Sequence, residues 1–307
     1  MTARRSAEGM ALILVLWLVA SLSLVVLAGA SSVRQQTQSV GVELDRMRSE
    51  ALLDGALQIG LQNLIADKRD PKDNRSGYRL LRMPLGSSVV WMEVIPASGL
   101  VDVNVASDSL LQALLERVGG LSSGDATIMA SRIRDFIDPD DTPGGLGGAE
   151  APQYRAAGKT VMPRNSALTD LSELKFVLGM TSELYDIIAP YLGINGQQRI
   201  EADSAPPALI DALTGQRGLG AQIQKSPPEM RAGLLQSGLA AEFFSAGRSG
   251  GGQAIKVRAY LQGDGERWWQ REAWVDLSER PDTLTPWTTL SLEPTRRVNK
   301  PEQEFNP

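Results

Sequence analysis

Residues 10–30 read MALILVLWLVASLSLVVLAGA and directly follow the short segment Arg4-Arg5-Ser6-Ala7-Glu8-Gly9. No charged side chain occurs from Met10 to Val33. As a helix, this apolar run would rise about 32 Å, which is enough to cross the hydrocarbon core of a bilayer. A helix that is apolar on all sides, ahead of an acidic and otherwise ordinary composition, indicates a membrane or export segment rather than a buried core helix.

Three kinds of export segment fit these residues. The first is a cleaved secretory signal that ends at Ala28-Gly29-Ala30, although the apolar run is longer than the usual core of such signals. The second is an uncleaved anchor. The third is a prepilin-type leader, residues 1–9, which is cleaved after Gly9 so that the helix stays on the protein and begins at Met10. The N-terminal residues alone leave all three open.

Composition restricts the chemistry of the chain. It has 307 residues, a net charge of −5, no cysteine and no histidine. Nucleophilic systems built on Ser-His-Asp or Cys-His and the usual zinc sites are therefore excluded, because they need imidazole or thiolate groups. An acidic chain does not favour nucleic acid as a partner. Catalysis by carboxylates alone stays open, but we expect a protein that is not an enzyme.

Hydrophobic periodicity predicts an α+β fold. A long N-terminal helix, transmembrane at about residues 10–30, packs on an antiparallel sheet, and a large all-helical domain is inserted between the strands of that sheet. The predicted boundaries are the helix at 10–66, the sheet domain at 67–106 and 248–278, the inserted domain at 107–247, and a flexible tail at 279–307.

The inserted region also contains short apolar helices preceded by polar cap residues, in the manner of helix-hairpin-helix modules. Such modules often bind the DNA backbone. The alternative function is therefore a membrane-anchored periplasmic protein that binds DNA. Because the region is acidic, we prefer a packing role for these helices.

The stretch 135–154, DFIDPDDTPGGLGGAEAPQY, is rich in acids and glycines. Clustered carboxylates repel one another unless a cation lies among them, and sites with oxygen ligands alone suit calcium. The stretch is not an EF-hand, because Pro143 occupies the position of the required glycine. A solvated acidic loop or helix cap is the more common outcome of such a run, and a hydrolase built on paired carboxylates is a third alternative.

Taken in order, several motifs resemble the K-type minor pseudopilins of bacterial type II secretion over about residues 4–280. One motif is the Gly9 leader with its apolar helix, in which Leu14 stands at the fifth residue after the cleaved glycine. Most pilin-like proteins have a glutamate there, and the K-type is similar to this chain in lacking it. The other motifs are Leu100-Val-Asp-Val-Asn104, Asp135-Phe-Ile-Asp138-x-Asp140-Asp141, Gly148-Ala-Glu150-x-x-x-Tyr154 and Leu168-Thr-Asp-Leu-Ser-Glu-Leu174 leading to Gly179.

The resemblance implies a pilin-like minor pseudopilin that caps or initiates the pseudopilus tip. It implies cleavage after Gly9 by a prepilin peptidase and methylation of Met10. The implied partners are the I-type and J-type minor pseudopilins and the major pseudopilin. The chain would be a single-pass protein of the bacterial inner membrane, with a cytoplasmic N-terminus and a periplasmic main domain.

A structural calcium ion is also implied by the resemblance. Its ligands would be Asp138, Asp140, Asp141 and Glu150, with Asp135 and Asp170 as further candidates. Ala151-Pro152 follows Glu150 where the family would place another acid, so this chain departs from the family pattern at the ligand set itself.

Overall fold

The structure is a computed structural model of the chain. It describes residues 4–69, 77–236, 238–246, 254–263, 266–278 and 285–301, without the side chains of residues 4–12, 25–39, 68 and 69.

One helix, α1 (Arg4–Arg69), packs the C-terminal part of its length on an antiparallel sheet. The sheet order is β1-β2-β7-β8-β10, and β9 also pairs with β8. The strands are β1 (Arg79–Leu85), β2 (Ser88–Pro96), β7 (Ala254–Gln262), β8 (Trp268–Asp276), β9 (Thr288–Leu292) and β10 (Arg296–Val298).

Strict alternation places the apolar residues of β7 against α1. Ile255, Val257 and Leu261 are buried there together with Leu53 and Leu64 of the helix. Two ion pairs and a hydrogen bond also join α1 to β8. Arg271 bridges Glu50 and Asp54 at 2.9 and 2.7 Å, and Asp45 accepts from Trp269 Nε1 at 3.1 Å.

A block of short helices and two-residue strands lies between β2 and β7. Its helices are α2 (Asp108–Arg117), α3 (Ser123–Ile137), α4 (Ala151–Ala156), α5 (Ser182–Ile188), α6 (Pro207–Thr214), α7 (Leu219–Lys225), α8 (Pro228–Leu234) and α9 (Gly238–Phe243). The short strands are β3 (Val101–Asp102) with β4 (Leu192–Gly193), and β5 (Ile200–Glu201) with β6 (Phe244–Ser245), each pair parallel. Three 3₁₀ helices, 97–99, 171–176 and 189–191, join these elements.

The block has its own hydrophobic core, separate from the core between α1 and the sheet. Leu110, Leu114, Phe136, Tyr154 and Leu209 are among its buried members. The predicted fold class is therefore confirmed: a long helix packs on an antiparallel sheet, and a helical domain is inserted between the strands.

The predicted flexible tail differs from the structure at residues 288–298. Thr288–Leu292 and Arg296–Val298 pair with β8 as edge strands. The prediction rested on the proline, threonine and arginine content of the tail, but proline and charged residues are also usual features of an edge strand. That part of the predicted tail is wrong.

Over the described part of the chain, no helix combines the length and apolar character needed to cross a membrane. The predicted span at residues 10–30 lies partly outside the residues whose side chains are described. Gly9 and Met10, the predicted processing site, lie wholly outside them.

Candidate metal centre

Two helices of the inserted block bring the acidic side chains together. The first, α3, has Ser122 as its N-cap and ends at Asp138, whose backbone is extended with φ −76° and ψ 160°. The second, α4, starts after Glu150 and has Pro152 in its first turn, where a missing N–H does no harm. Between them runs the glycine-rich loop. The end of one helix and the start of the other therefore face a common point.

Three of the predicted ligands converge at that point. One carboxylate oxygen from each of Asp138, Asp140 and Glu150 lies within 4.8 Å of the others. Asp140 is exposed, Asp138 is half-buried, and Glu150 is fully buried. The group is thus open to solvent on one side and closed on the other.

Three carboxylate oxygens of this group have no hydrogen-bond donor among the described residues, whereas Asp140 Oδ1 accepts from Thr142 N at 2.8 Å. Both side-chain oxygens of Glu150 and Oδ1 of Asp138 are buried without a hydrogen-bond donor among the described residues. Burial, and then the neighbouring acids Asp135 and Asp138, raises the pKa of Glu150 to about 7. Burial, together with Asp140, also raises the pKa of Asp138. A buried carboxylate without a donor destabilises a fold unless a cation neutralises it, so these residues fit a bound metal ion.

Asp135 has a different role in the same loop. It is buried and accepts from the backbone N–H of Gly144 at 3.0 Å. A Cβ on Gly148 would lie 2.3 Å from Asp135 Oδ2 and 2.2 Å from Gly144 O, so only glycine fits there. Asp135 therefore holds the glycine-rich loop in a tight path, and it is not one of the three carboxylates that converge.

The side chain of Asp141 contacts a neighbouring segment instead of the other acids. Its Oδ1 accepts from Asn165 Nδ2 at 2.8 Å, and the same amide donates to the carbonyl of Asp140 at 3.0 Å. Asn165 has φ +50°, a conformation that asparagine adopts more readily than most residues. Asn165 was not predicted from the sequence. The only feature that points to it is an asparagine in a loop that has neither helical nor strand periodicity.

Asp170 lies outside the group of three as well. It is the N-cap of the 3₁₀ helix 171–176, where its side chain accepts from Ser172 N at 2.7 Å. Hydrogen bonds from the side chain and then the backbone of Ser172 lower the pKa of Asp170. The structure thus places this residue as a helix cap.

Two motifs that are far apart in sequence meet behind the site. Asn104 donates to Leu168 O at 3.1 Å and accepts from Leu168 N at 2.8 Å. Tyr154 is fully buried against Phe136, and its hydroxyl accepts from Leu178 N at 2.8 Å. These contacts fix α3, α4 and the segment 164–178 as one unit around the acidic group.

Comparisons with known proteins find a similarity for part of this chain. Residues 95–195 match the family model described as "Type II secretion system (T2SS), protein K". The protein named Type II secretion system protein K from Klebsiella pneumoniae is 23% identical over 206 residues, which are 60% of this chain and 62% of that protein. The protein of the same name from Pectobacterium carotovorum subsp. carotovorum is 26% identical over 209 residues, 62% of each chain. The chain thus spans 62% of the length of each of these curated relatives.

A solved structure has a similar fold. It is a chain from the crystal structure of the GspK-GspI-GspJ complex from the enterotoxigenic Escherichia coli Type 2 Secretion System. The TM-score is 0.50 at 19% identity, and the match covers 81% of this chain and 98% of that one.

The family-matched segment, 95–195, contains all three converging carboxylates. The resemblance to type II secretion system protein K that the sequence predicts is therefore confirmed, and residues 95–195 carry the match to the family model.

Proposed function

We propose that this chain is a minor pseudopilin of type II protein secretion with a structural rather than a catalytic role. One observation carries the proposal: the family-matched segment 95–195 is inserted after β2 of a unit in which a long helix packs on an antiparallel sheet. Helix-on-sheet units of this kind suit lateral assembly, because α1 extends well beyond the sheet that it packs on.

Its α1 helix would anchor the protein in the bacterial inner membrane and pack among partner helices. Large apolar side chains from Ile13 to Leu24 are 57–74% exposed, and Val40, Leu44 and Met47 continue an exposed stripe at helical spacing. The main domain would lie in the periplasm. Lipid and the helices of partner proteins would cover these exposed side chains.

The chain would cap or initiate the pseudopilus tip together with the I-type and J-type minor pseudopilins. Its position in the fibre follows from Leu14, which has no carboxylate to neutralise the N-terminal amine of a neighbouring subunit. A subunit without that charge suits the end of a fibre better than its repeating part. The major pseudopilin and the prepilin peptidase would be its further partners.

Calcium is the ion that we propose for the metal centre. Asp138, Asp140 and Glu150 would hold it through oxygen atoms alone, which is the ligand chemistry that calcium prefers. The side of the site at Asp140 is open, which leaves room for water ligands. Asp141 adjoins Asp140 in the sequence. The ion would supply the positive charge that the buried oxygens of Glu150 lack, and so fix the loop between α3 and α4.

The processing step tests this function. N-terminal sequencing and mass measurement of the protein isolated from membranes should show a chain that starts at Met10 with an added methyl group. A prepilin-type leader is cut before its apolar helix, whereas a secretory signal is cut after it. A mature chain that starts at Ser31 would contradict the proposal, and an uncut chain would identify a plain anchor. Gly9→Leu is the control variant and should block cleavage.

A further inference from the structure

The face of the sheet that points away from α1 carries buried charges. Glu93 of β2, Lys256 and Arg258 of β7, and Glu272 of β8 lie side by side on it. The first three side chains are at most 5% exposed, and that of Glu272 is 17% exposed. We call these four residues the ionic latch.

Lys256 reaches from the sheet into the inserted block. Its Nζ donates to the carbonyls of Ala189, Leu192 and Pro190 at 3.0, 3.2 and 3.4 Å. Glu272 Oε1 lies 3.7 Å from the same atom. Burial lowers the pKa of Lys256 to about 8.

Arg258 makes the second connection. Its Nε donates to Glu272 at 2.8 Å, its Nη1 donates to Glu93 at 3.2 Å, and its Nη2 donates to the carbonyl of Pro190. Both cations of the latch therefore hold the same short stretch of the block.

That stretch is the 3₁₀ helix 189–191, which directly follows α5, together with Leu192, the first residue of β4. The last carbonyls of a helix have no partner inside it, and the partial negative charge at this end attracts cations. The sheet thus binds this part of the block through backbone oxygens and charge.

Away from the latch, the contacts between the two units include a hydrogen bond from Tyr78 N to Asp203 O at 2.9 Å. The hydrophobic core of the block and the core of the α1–sheet unit are separate clusters. A cleft of about 470 Å³ lies beside the latch and is lined by both units, including Lys175, Tyr185, Glu272 and Trp274. Interfaces of this polar kind inside one chain permit movement of one unit against the other.

We propose that the ionic latch holds the inserted helical block on the sheet, and that breaking the latch releases the block as a folded body. The four charged side chains then hold the block in its orientation on the sheet, since the two hydrophobic cores are separate. Since the metal centre lies within the block, it would move with the block and keep its own geometry.

Hydrogen exchange of the full-length chain in detergent tests this proposal. In Lys256→Met, which keeps the unbranched shape but removes the charge, amides of residues 182–195 should exchange at least tenfold faster. Amides of α3, in the core of the block, should keep their protection. Arg271→Met is the matched control, because Arg271 lies in the same sheet but points to α1; it should leave residues 182–195 unchanged.

Glu272→Gln is the second variant, in case Lys256→Met does not fold. It keeps an acceptor oxygen and removes only the charge that faces both cations, so it should give the same pattern with a smaller increase. Unchanged exchange in residues 182–195 would overturn the proposal. Equal acceleration in residues 182–195 and in α3 would overturn it too, because the block would then unfold rather than separate.

Discussion

Removal of calcium is expected to lower the free energy of unfolding of this protein by about 3 kcal/mol, and Asp140→Ala is expected to abolish that difference. An ion present at about a hundred times its dissociation constant stabilises the folded state by roughly this amount. Asp140 is the exposed member of the three converging carboxylates, so its loss should weaken the site without disturbing the core. Denaturant unfolding with calcium and with a chelator measures the effect.

Asp141→Ala is the matched control for that experiment. Asp141 adjoins Asp140 in sequence, but its carboxylate accepts from Asn165 and is not in the group of three. The variant should keep most of the calcium-dependent stability. If chelation leaves the native chain unchanged, the acidic stretch is a solvated loop, and the proposed calcium site is wrong.

Tyr154→Ala is expected to lower the free energy of unfolding by about 3–5 kcal/mol, the range for an aromatic side chain deleted from a core. Tyr154 is fully buried, packs on Phe136 and holds Leu178 through its hydroxyl. Tyr154→Phe removes only the hydroxyl and leaves the Leu178 N–H without an acceptor, at a cost of about 1–3 kcal/mol. Chemical denaturation of the two variants compares the contribution of the aromatic ring with that of the hydroxyl group.

Phe176→Ala is the control for Tyr154. Phe176 is an aromatic residue of the same block but is 50% exposed, so its truncation should change stability by less than about 1 kcal/mol. Equal losses for Tyr154→Ala and Phe176→Ala would show that the contacts of Tyr154 do not determine the stability of the block.

Much of the fold follows from local sequence patterns. The alternation of Ile255, Val257, Ala259 and Leu261 predicts the strand that the structure forms over residues 254–262, and it predicts which side chains share one face. The edge strands at 288–298 could not be found in this way. Their pairing depends on β8, and strands of five and three residues are too short to show a clear period in the sequence.

The acidic group could be predicted as a region, but the three carboxylates that converge in it could not be predicted individually. Asp140 and Asp141 are adjacent and chemically identical, and only the backbone path decides that one joins the group while the other binds Asn165. The role of Asp135 depends on the loop that returns to it through Gly144. Contacts between distant segments are absent from any local pattern, which also explains why Asn165 was missed.

The environment of the buried charges on β7 could not be predicted from local sequence either. Alternation indicates that Lys256 and Arg258 point away from α1, where solvent would be the usual neighbour. The structure covers them with the inserted block instead. Only the three-dimensional arrangement shows that this face of the sheet is an interface within the chain.

Assembly with its proposed partners tests the central claim most directly. The full-length chain in detergent would be mixed with the I-type and J-type minor pseudopilins of the same bacterium, and the products would be sized by light scattering after gel filtration. We predict a stable complex that contains one copy of each protein. Failure of the chain to associate with either partner, together with tight binding of duplex DNA that weakens steeply with salt, would contradict the pseudopilin function and favour the DNA-binding alternative.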